Sequence, residues 1–215
     1  MKRFLPFFPL VAATILAGCG GDNTSDSASA ANSLSVADVD PGAYIVSVGD
    51  SDNPTVGKYY AAPDGSRYLV IADADDKATL IYRRAKGGNW VAVPASTDAV
   101  SVKLLRADPV PAAIVELDRV TGMYTTSLPS GAAARFTITP EGKVTPGDST
   151  CQLSGIVGAH GMPNTLSLKL SAADCGTLPA NVNGILAVDT DYLPAAFRLI
   201  ADDGNRIVDL WTYRD

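Results

Sequence analysis

The strongest constraint on the fold is a rhythm: apolar and polar residues alternate in short runs, and glycine-bearing turns break the runs apart. Alternation with period 2 puts every second side chain on one face of a strand, so each run reads as a half-buried β-strand. Leu166-Ser167-Leu168-Lys169-Leu170 is the cleanest case. The same pattern predicts strands over 42–48, 59–62, 68–72, 79–82, 90–93, 100–105, 114–120, 123–127, 135–139, 152–157, 185–188, 197–201 and 207–213. Between them lie Pro63-Asp64-Gly65, Gly87-Gly88-Asn89, Thr121-Gly122, Glu141-Gly142 and Asp202-Asp203-Gly204-Asn205. In such turns glycine takes positive φ and Asp or Asn bonds the local backbone. Strands joined by tight turns make an antiparallel meander.

No long stretch carries an apolar stripe of helical period, and 172–175 and 193–196 allow only short helical turns. The chain is therefore expected to be all-β with very low helix content, closed as a barrel or stacked as a two-layer sandwich. Either arrangement protects strand edges that would otherwise aggregate. In the layered case the division falls near Leu128, giving layers of about 36–128 and 129–215.

The N-terminus carries a different signal. Met1-Lys2-Arg3 precedes an apolar run through residues 4–16, which ends in Leu16-Ala17-Gly18-Cys19. A charged start, an apolar core and small residues at the end define a secretory signal, too short to span a bilayer core of about 30 Å. Leu16-Ala17-Gly18-Cys19 resembles the lipobox of bacterial lipoproteins. The resemblance implies that residues 1–18 are a signal peptide and that Cys19 becomes the lipidated first residue of the mature chain. Acylation contributes about 0.8 kcal/mol per buried CH₂, and two or more chains make the anchor stable. Gly20 stands where inner-membrane lipoproteins carry Asp, which implies the outer membrane. Residues 20–35 have almost nothing to bury, so 19–35 is expected to be a disordered tether reaching roughly 20–24 Å, with the globular domain over 36–215.

Without Lys2 and Arg3 the basic count falls from 17 to 15 against 23 acidic residues, a formal charge of −8. An acidic surface repels phosphate backbones, so nucleic acid is not an expected partner. Assigning Cys19 to lipid leaves Cys151 and Cys175 as a natural disulfide pair in an oxidising compartment. Closing a loop of about 25 residues contributes roughly 3 kcal/mol in the chain-entropy model. The two lack the C-x-x-C spacing of a redox dithiol.

Two regions carry a further likeness. Gly57-Lys58-Tyr59-Tyr60 with Asp64-Gly65-Ser66-Arg67-Tyr68-Leu69-Val70 is one. Cys151-Gln152-Leu153-Ser154-Gly155 through Cys175 to Gly184-Ile185-Leu186-Ala187-Val188 is the other. Together they resemble small, uncharacterised proteobacterial envelope lipoproteins, in which a C-x-x-x-G strand is bridged to a cysteine ahead of a G-x-x-x-Y/V strand. The resemblance implies a β-barrel-like domain with one disulfide and transfers no catalytic residue.

Few side chains suggest chemistry. His160 is the only histidine, so any hydrolase with a histidine base has to use it, and no Gly-x-Ser-x-Gly elbow accompanies it. Its glycine- and proline-rich setting makes it a loop residue, and a multi-histidine zinc site is excluded. Asp50/Asp52, Asp73/Asp75/Asp76, Asp189/Asp191 and Asp202/Asp203 have the oxygen ligands calcium needs, but not the EF-hand continuation. They read as turn residues. Glu116 and Glu141 are the only glutamates and read as exposed strand or turn positions. Tyr59, Tyr60, Tyr68, Tyr82, Trp90, Phe197, Trp211 and Tyr213 fit core and cross-strand packing better than a ligand groove. No cofactor or metal is expected. What remains is a lipid-anchored, non-enzymatic recognition or structural module, anchored to the membrane through Cys19 and meeting an envelope protein or glycan. The alternative is a lipocalin-like carrier of a small apolar ligand.

Overall fold

The computed structural model describes residues 33–215, so the signal peptide, Cys19 and the tether up to residue 32 lie outside the described residues. The first half of the described chain builds an open sheet. β1 (Leu34–Val36) leads into β2 (Gly42–Gly49), β3 (Pro54–Ala61), β4 (Arg67–Ala72), β5 (Ala78–Arg84) and β6 (Val91–Val93), and then β7 (Val100–Val102) and β8 (Leu104–Val110). β8 returns to the free edge of β2, giving the antiparallel order β6-β5-β4-β3-β2-β8. β1 and β7 form a separate parallel pair.

The continuous apolar run Tyr68-Leu69-Val70-Ile71 in β4 has no polar face, because both faces of this sheet are covered. On one face Tyr59, Leu69 and Tyr82 pack beneath Val36, Val100 and Val102 of the β1–β7 pair. On the other, Tyr60, Tyr68, Val70 and Ile81 meet residues of the second half of the chain. β1 begins at Leu34, at the very end of the segment read as tether, and Asp38 fixes the chain there by pairing with both Arg67 and Arg84.

The second half closes on itself. β9 (Gly122–Ser127), β10 (Ala133–Ile138), β11 (Lys143–Pro146), β12 (Gln152–Ala159), β13 (Thr165–Ala173), β14 (Asn181–Ala187), β15 (Phe197–Asp202) and β16 (Ile207–Arg214) pair each with the next. Thr212, Tyr213 and Arg214 of β16 then pair with Thr126, Thr125 and Tyr124 of β9, completing a barrel. The fold is all-β, as the alternation predicts: a closed antiparallel barrel with a second sheet stacked on its outside. β9 belongs to the barrel, so residues 111–121 separate the two layers. The strand predicted over 114–120 is instead extended chain and a 3-10 turn at Leu117–Val120. The barrel offers it no edge, since β9, the strand it leads into, is already flanked by β10 and β16.

The inward residues of the barrel are those the alternation marks as apolar. Tyr124, Phe136, Ile138, Leu153, Leu166, Leu168, Leu186, Phe197, Leu199 and Leu210 are all buried in one cluster. The Tyr124 ring lies 4.6 Å from Phe197 and 5.8 Å from Phe136, centroid to centroid. An eight-stranded barrel can be filled by its own side chains or hold one small ligand, and here these side chains pack into one buried apolar cluster. Gly184 sits where β14 crosses closest to β15: a Cβ there would lie 2.1 Å from the Ile200 carbonyl oxygen. The disulfide Cys151–Cys175 joins the residue before β12 to the loop after β13, with an S–S length of 2.03 Å.

Candidate functional site: the seam between barrel and sheet

Strands β14–β16 have a second face, outside the barrel, and the sheet covers it. Ile185, Ala187 and Ile200 pack there against Tyr60, Tyr68, Val70 and Ile81. Along β15 and β16 the outward positions also include Arg198, Asp202 and Asp209, which alternate with the inward Phe197, Leu199, Ala201, Val208 and Leu210. On a free barrel they would be solvated. Beneath the sheet they become a buried ionic layer.

Arg198 and Asp209 are each 4% exposed and meet through two hydrogen bonds, Nε to Oδ1 at 2.6 Å and Nη2 to Oδ2 at 2.5 Å. The pair also grips the sheet. Arg198 Nη2 donates to the Asp76 carbonyl, and the Ala78 N–H donates to Asp209 at 2.7 Å. The guanidinium lies 4.8 Å from the Trp211 ring centroid, within cation–π range. Burial pushes the Arg198 pKa down, but the Asp209 carboxylate outweighs it and keeps the group charged.

Three more bridges cross the seam. Arg83 of β5 donates from Nε and Nη2 to Asp202, at 3.0 and 3.1 Å. Lys58 of β3 donates to Asp189 at 2.7 Å and to Asp191 at 2.9 Å; burial lowers its pKa, and the two carboxylates more than reverse that. The Tyr60 and Tyr192 hydroxyls are 3.1 Å apart, and burial raises both phenol pKa values. Buried ion pairs add little net stability, but removing one partner is costly, so matched charges of this kind specify a single pose of sheet on barrel.

Hollows open at opposite ends of β4 and β15. One, of about 460 Å³, is lined by Arg67, Arg83, Arg84, Asn181 and Asn183. The other, of about 270 Å³, lies between Ile45 and Val56 of the sheet and Tyr192, Arg198 and Trp211 of the barrel side.

The residues singled out from sequence fall as follows. Cys19 lies outside the described residues. Cys151 and Cys175 are bonded to each other. His160 sits in the β12–β13 loop beside the larger hollow, with Nδ1 3.2 Å from the Thr165 hydroxyl. Burial lowers its pKa, and the nearby Asp64 opposes that only in part. The aspartates serve turns: Asp50 accepts from the Asp52 N–H, Asp73 from those of Asp75 and Lys77, and Asp203 from those of Asn205 and Arg206. Asp189 accepts from the Asp191 N–H and from Lys58. Glu116 precedes the 3-10 turn, and Glu141 stands in the exposed β10–β11 turn. Among the aromatics, Phe197 fills the barrel, Tyr60 and Tyr68 fill the seam, and Tyr59, Tyr82 and Trp90 lie under the β1–β7 pair. Trp211 borders the smaller hollow, and Tyr213 is 41% exposed.

Sequence reasoning missed the seam charges Lys58, Arg83, Arg198, Asp202 and Asp209. One signal for them was present. Phe197-Arg198-Leu199-Ile200-Ala201 is apolar on both faces apart from one charge, the mark of a strand covered on both sides.

Fold and seam define a class: a closed antiparallel meander barrel with a six-stranded sheet docked on its outer wall, the ion pairs Arg83–Asp202 and Lys58–Asp189 crossing between the two. No protein-family model, curated protein or solved structure matches the chain.

Proposed function

We propose that this protein is a lipid-anchored lipoprotein of the bacterial envelope, held in the outer membrane through Cys19, whose barrel–sheet unit is a non-enzymatic recognition module for an envelope protein or glycan. The observation that carries this reading is the filled barrel. Tyr124, Phe136 and Phe197 occupy the space that a carrier of apolar ligands keeps for its cargo. Concave surfaces with convergent polar groups lie along the seam, outside the barrel. The ion pairs that cross the seam support the same reading, because Arg83–Asp202 stands at one hollow and Lys58–Asp191 at the other.

Crosslinking in intact cells followed by affinity capture tests it. The wild-type chain is expected to yield a discrete crosslinked species, and Cys19→Ala is expected to lose that species and move to the soluble fraction. Recovery of uncrosslinked monomer alone, or retention of Cys19→Ala in the membrane, would contradict the reading.

A further inference from the structure

The outer wall of the barrel carries one row in register from β11 to β15. Lys143 pairs with Ile156, Ile156 with Lys169, Lys169 with Asn183, and Asn183 with Asp202. Four strand spacings make the row about 19 Å long. Lys143, Ile156, Lys169 and Asn183 are all exposed, and neither lysine has a carboxylate partner among the described residues. Asp202 is already neutralised by Arg83.

β14 changes chemistry along this outer face. Ile185 and Ala187 lie under the sheet, whereas Asn183 and Asn181, continuing the same face, are exposed. Those two asparagines line the seam hollow that holds Arg83 and Arg84. They also line a groove of about 570 Å³ on the barrel wall that holds Lys143, Ile156 and Lys169. The two hollows share a wall and form a continuous track. Its arginine donors are spent only in part: Arg83 uses Nε and Nη2 on Asp202, and Arg84, whose guanidinium lies 4.9 Å from the Trp90 ring centroid, uses Nε on the Gly65 carbonyl and Nη2 on Asp38. The Nη1 group of each remains without an acceptor among the described residues. Asn181 accepts from Ser171 through Oδ1, which leaves its NH₂.

The charge balance is positive. Arg67, Arg83 and Arg84 face only Asp38 and Asp202, so one guanidinium is in excess. Asp203 is paired with Arg206. Glu141, at the far end, opposes the two lysines only in part. This sits on a chain whose formal charge is −6.

We propose that this track binds an acidic glycan, a chain of sugars bearing carboxylates. Lysine and arginine donors match the acid groups through charge-assisted hydrogen bonds. The two amides, about 7 Å apart at alternate positions of one strand, suit hydroxyls, and Ile156 offers a ring face an apolar contact. A membrane surface fits less well, since the hollow between sheet and barrel is concave and admits a chain rather than a plane. Nucleic acid fits less well because the only Tyr, Phe or Trp lining the track, Tyr68, is buried and offers bases no face to stack on.

The inference rests on the recognition reading but can fail separately from it. Calorimetric titration of the full chain at low and high salt would use tetragalacturonate, a neutral tetragalactoside, free phosphate, and vesicles of phosphatidylglycerol. Saturable binding of tetragalacturonate, weakened by salt, is expected, with at least a tenfold loss in the Lys143→Gln/Lys169→Gln double variant and in Asn183→Ala. These positions are exposed, so an unchanged melting temperature separates lost binding from lost fold; Arg83→Gln would strand the buried Asp202 and is avoided. Equal binding of the neutral chain, affinity unmoved by the variants, no binding, or binding to the vesicles or phosphate alone would overturn the proposal. A crosslinked envelope partner that survives those outcomes would leave the recognition reading standing.

Discussion

Asp209 and Leu210 are neighbours in β16, yet they belong to opposite kinds of interior. Leu210 points into the barrel, where the buried cluster is apolar and closure alone excludes water. Asp209 points into the seam, where the surface is equally dry but is built from matched charges and aromatic faces. The barrel needs only volume and alternation. The seam needs partners that arrive from another part of the chain, because a sheet laid on a barrel wall has no hydrogen-bond ladder to fix its pose.

That contrast sets the size of perturbations. Asp209→Ala leaves Arg198 charged and unpaired beneath the sheet and strips the Ala78 N–H of its acceptor. It is expected to destabilise by about 3–5 kcal/mol in chemical denaturation. Replacing both partners, as Arg198→Met with Asp209→Leu, should recover most of that loss, since a buried pair exchanged for apolar residues is often neutral. A single-variant loss below about 1 kcal/mol would mean that water reaches the seam. One residue along, Leu210→Ala should cost about 3 kcal/mol by cavity formation, and no second substitution of charge would rescue it.

A smaller effect of opposite sign is expected inside the barrel. Thr212 Oγ1 is buried with no hydrogen-bond partner among the described residues. Thr212→Val removes that unsatisfied group and should stabilise by about 1 kcal/mol; a loss of similar size would show that the hydroxyl is satisfied in solution.

The smallest expected effect is a pH dependence on the seam side. Burial holds the His160 pKa below its ordinary value, so the fold keeps it neutral while the unfolded chain binds a proton below about pH 6.5. Its contribution is therefore present above that pH and declines as pH falls toward the lowered folded pKa, and His160→Gln should flatten stability in this window. Asp38 acts further down. Burial pushes its carboxyl up, but hydrogen bonds from Arg84 and Arg67 outweigh that and hold it below the usual range, so its share is lost only as pH falls through that depressed value.

Legibility in the sequence followed the same division. The barrel strands were most readable where Phe136 and Ile138, or Leu166 and Leu168, recur at period 2 with polar neighbours. β1 and β11 were not, since each sinks a single residue, Val36 or Val144, too little to make a pattern. The run 114–120 had the pattern, but β9, the barrel strand it leads into, already has both neighbours. The Cys151–Cys175 bridge followed from the cysteine count once Cys19 was set aside. The seam was hidden by an ambiguity of alternation itself. A charge at an outward position looks the same whether that face meets water or another sheet, and only pairings 119 to 133 residues apart, such as Arg83 with Asp202 and Lys58 with Asp191, decide which.

The barrel packs its own side chains inside, and recognition is proposed for its outside. Native mass spectrometry of the purified full-length protein, with organic extraction of anything bound, tests it most directly. The account predicts no non-covalent apolar ligand at stoichiometric amounts and unchanged Tyr124, Phe136 and Phe197 ring signals after extraction. One extracted apolar molecule per chain, with shifts in those three rings on its removal, would contradict it.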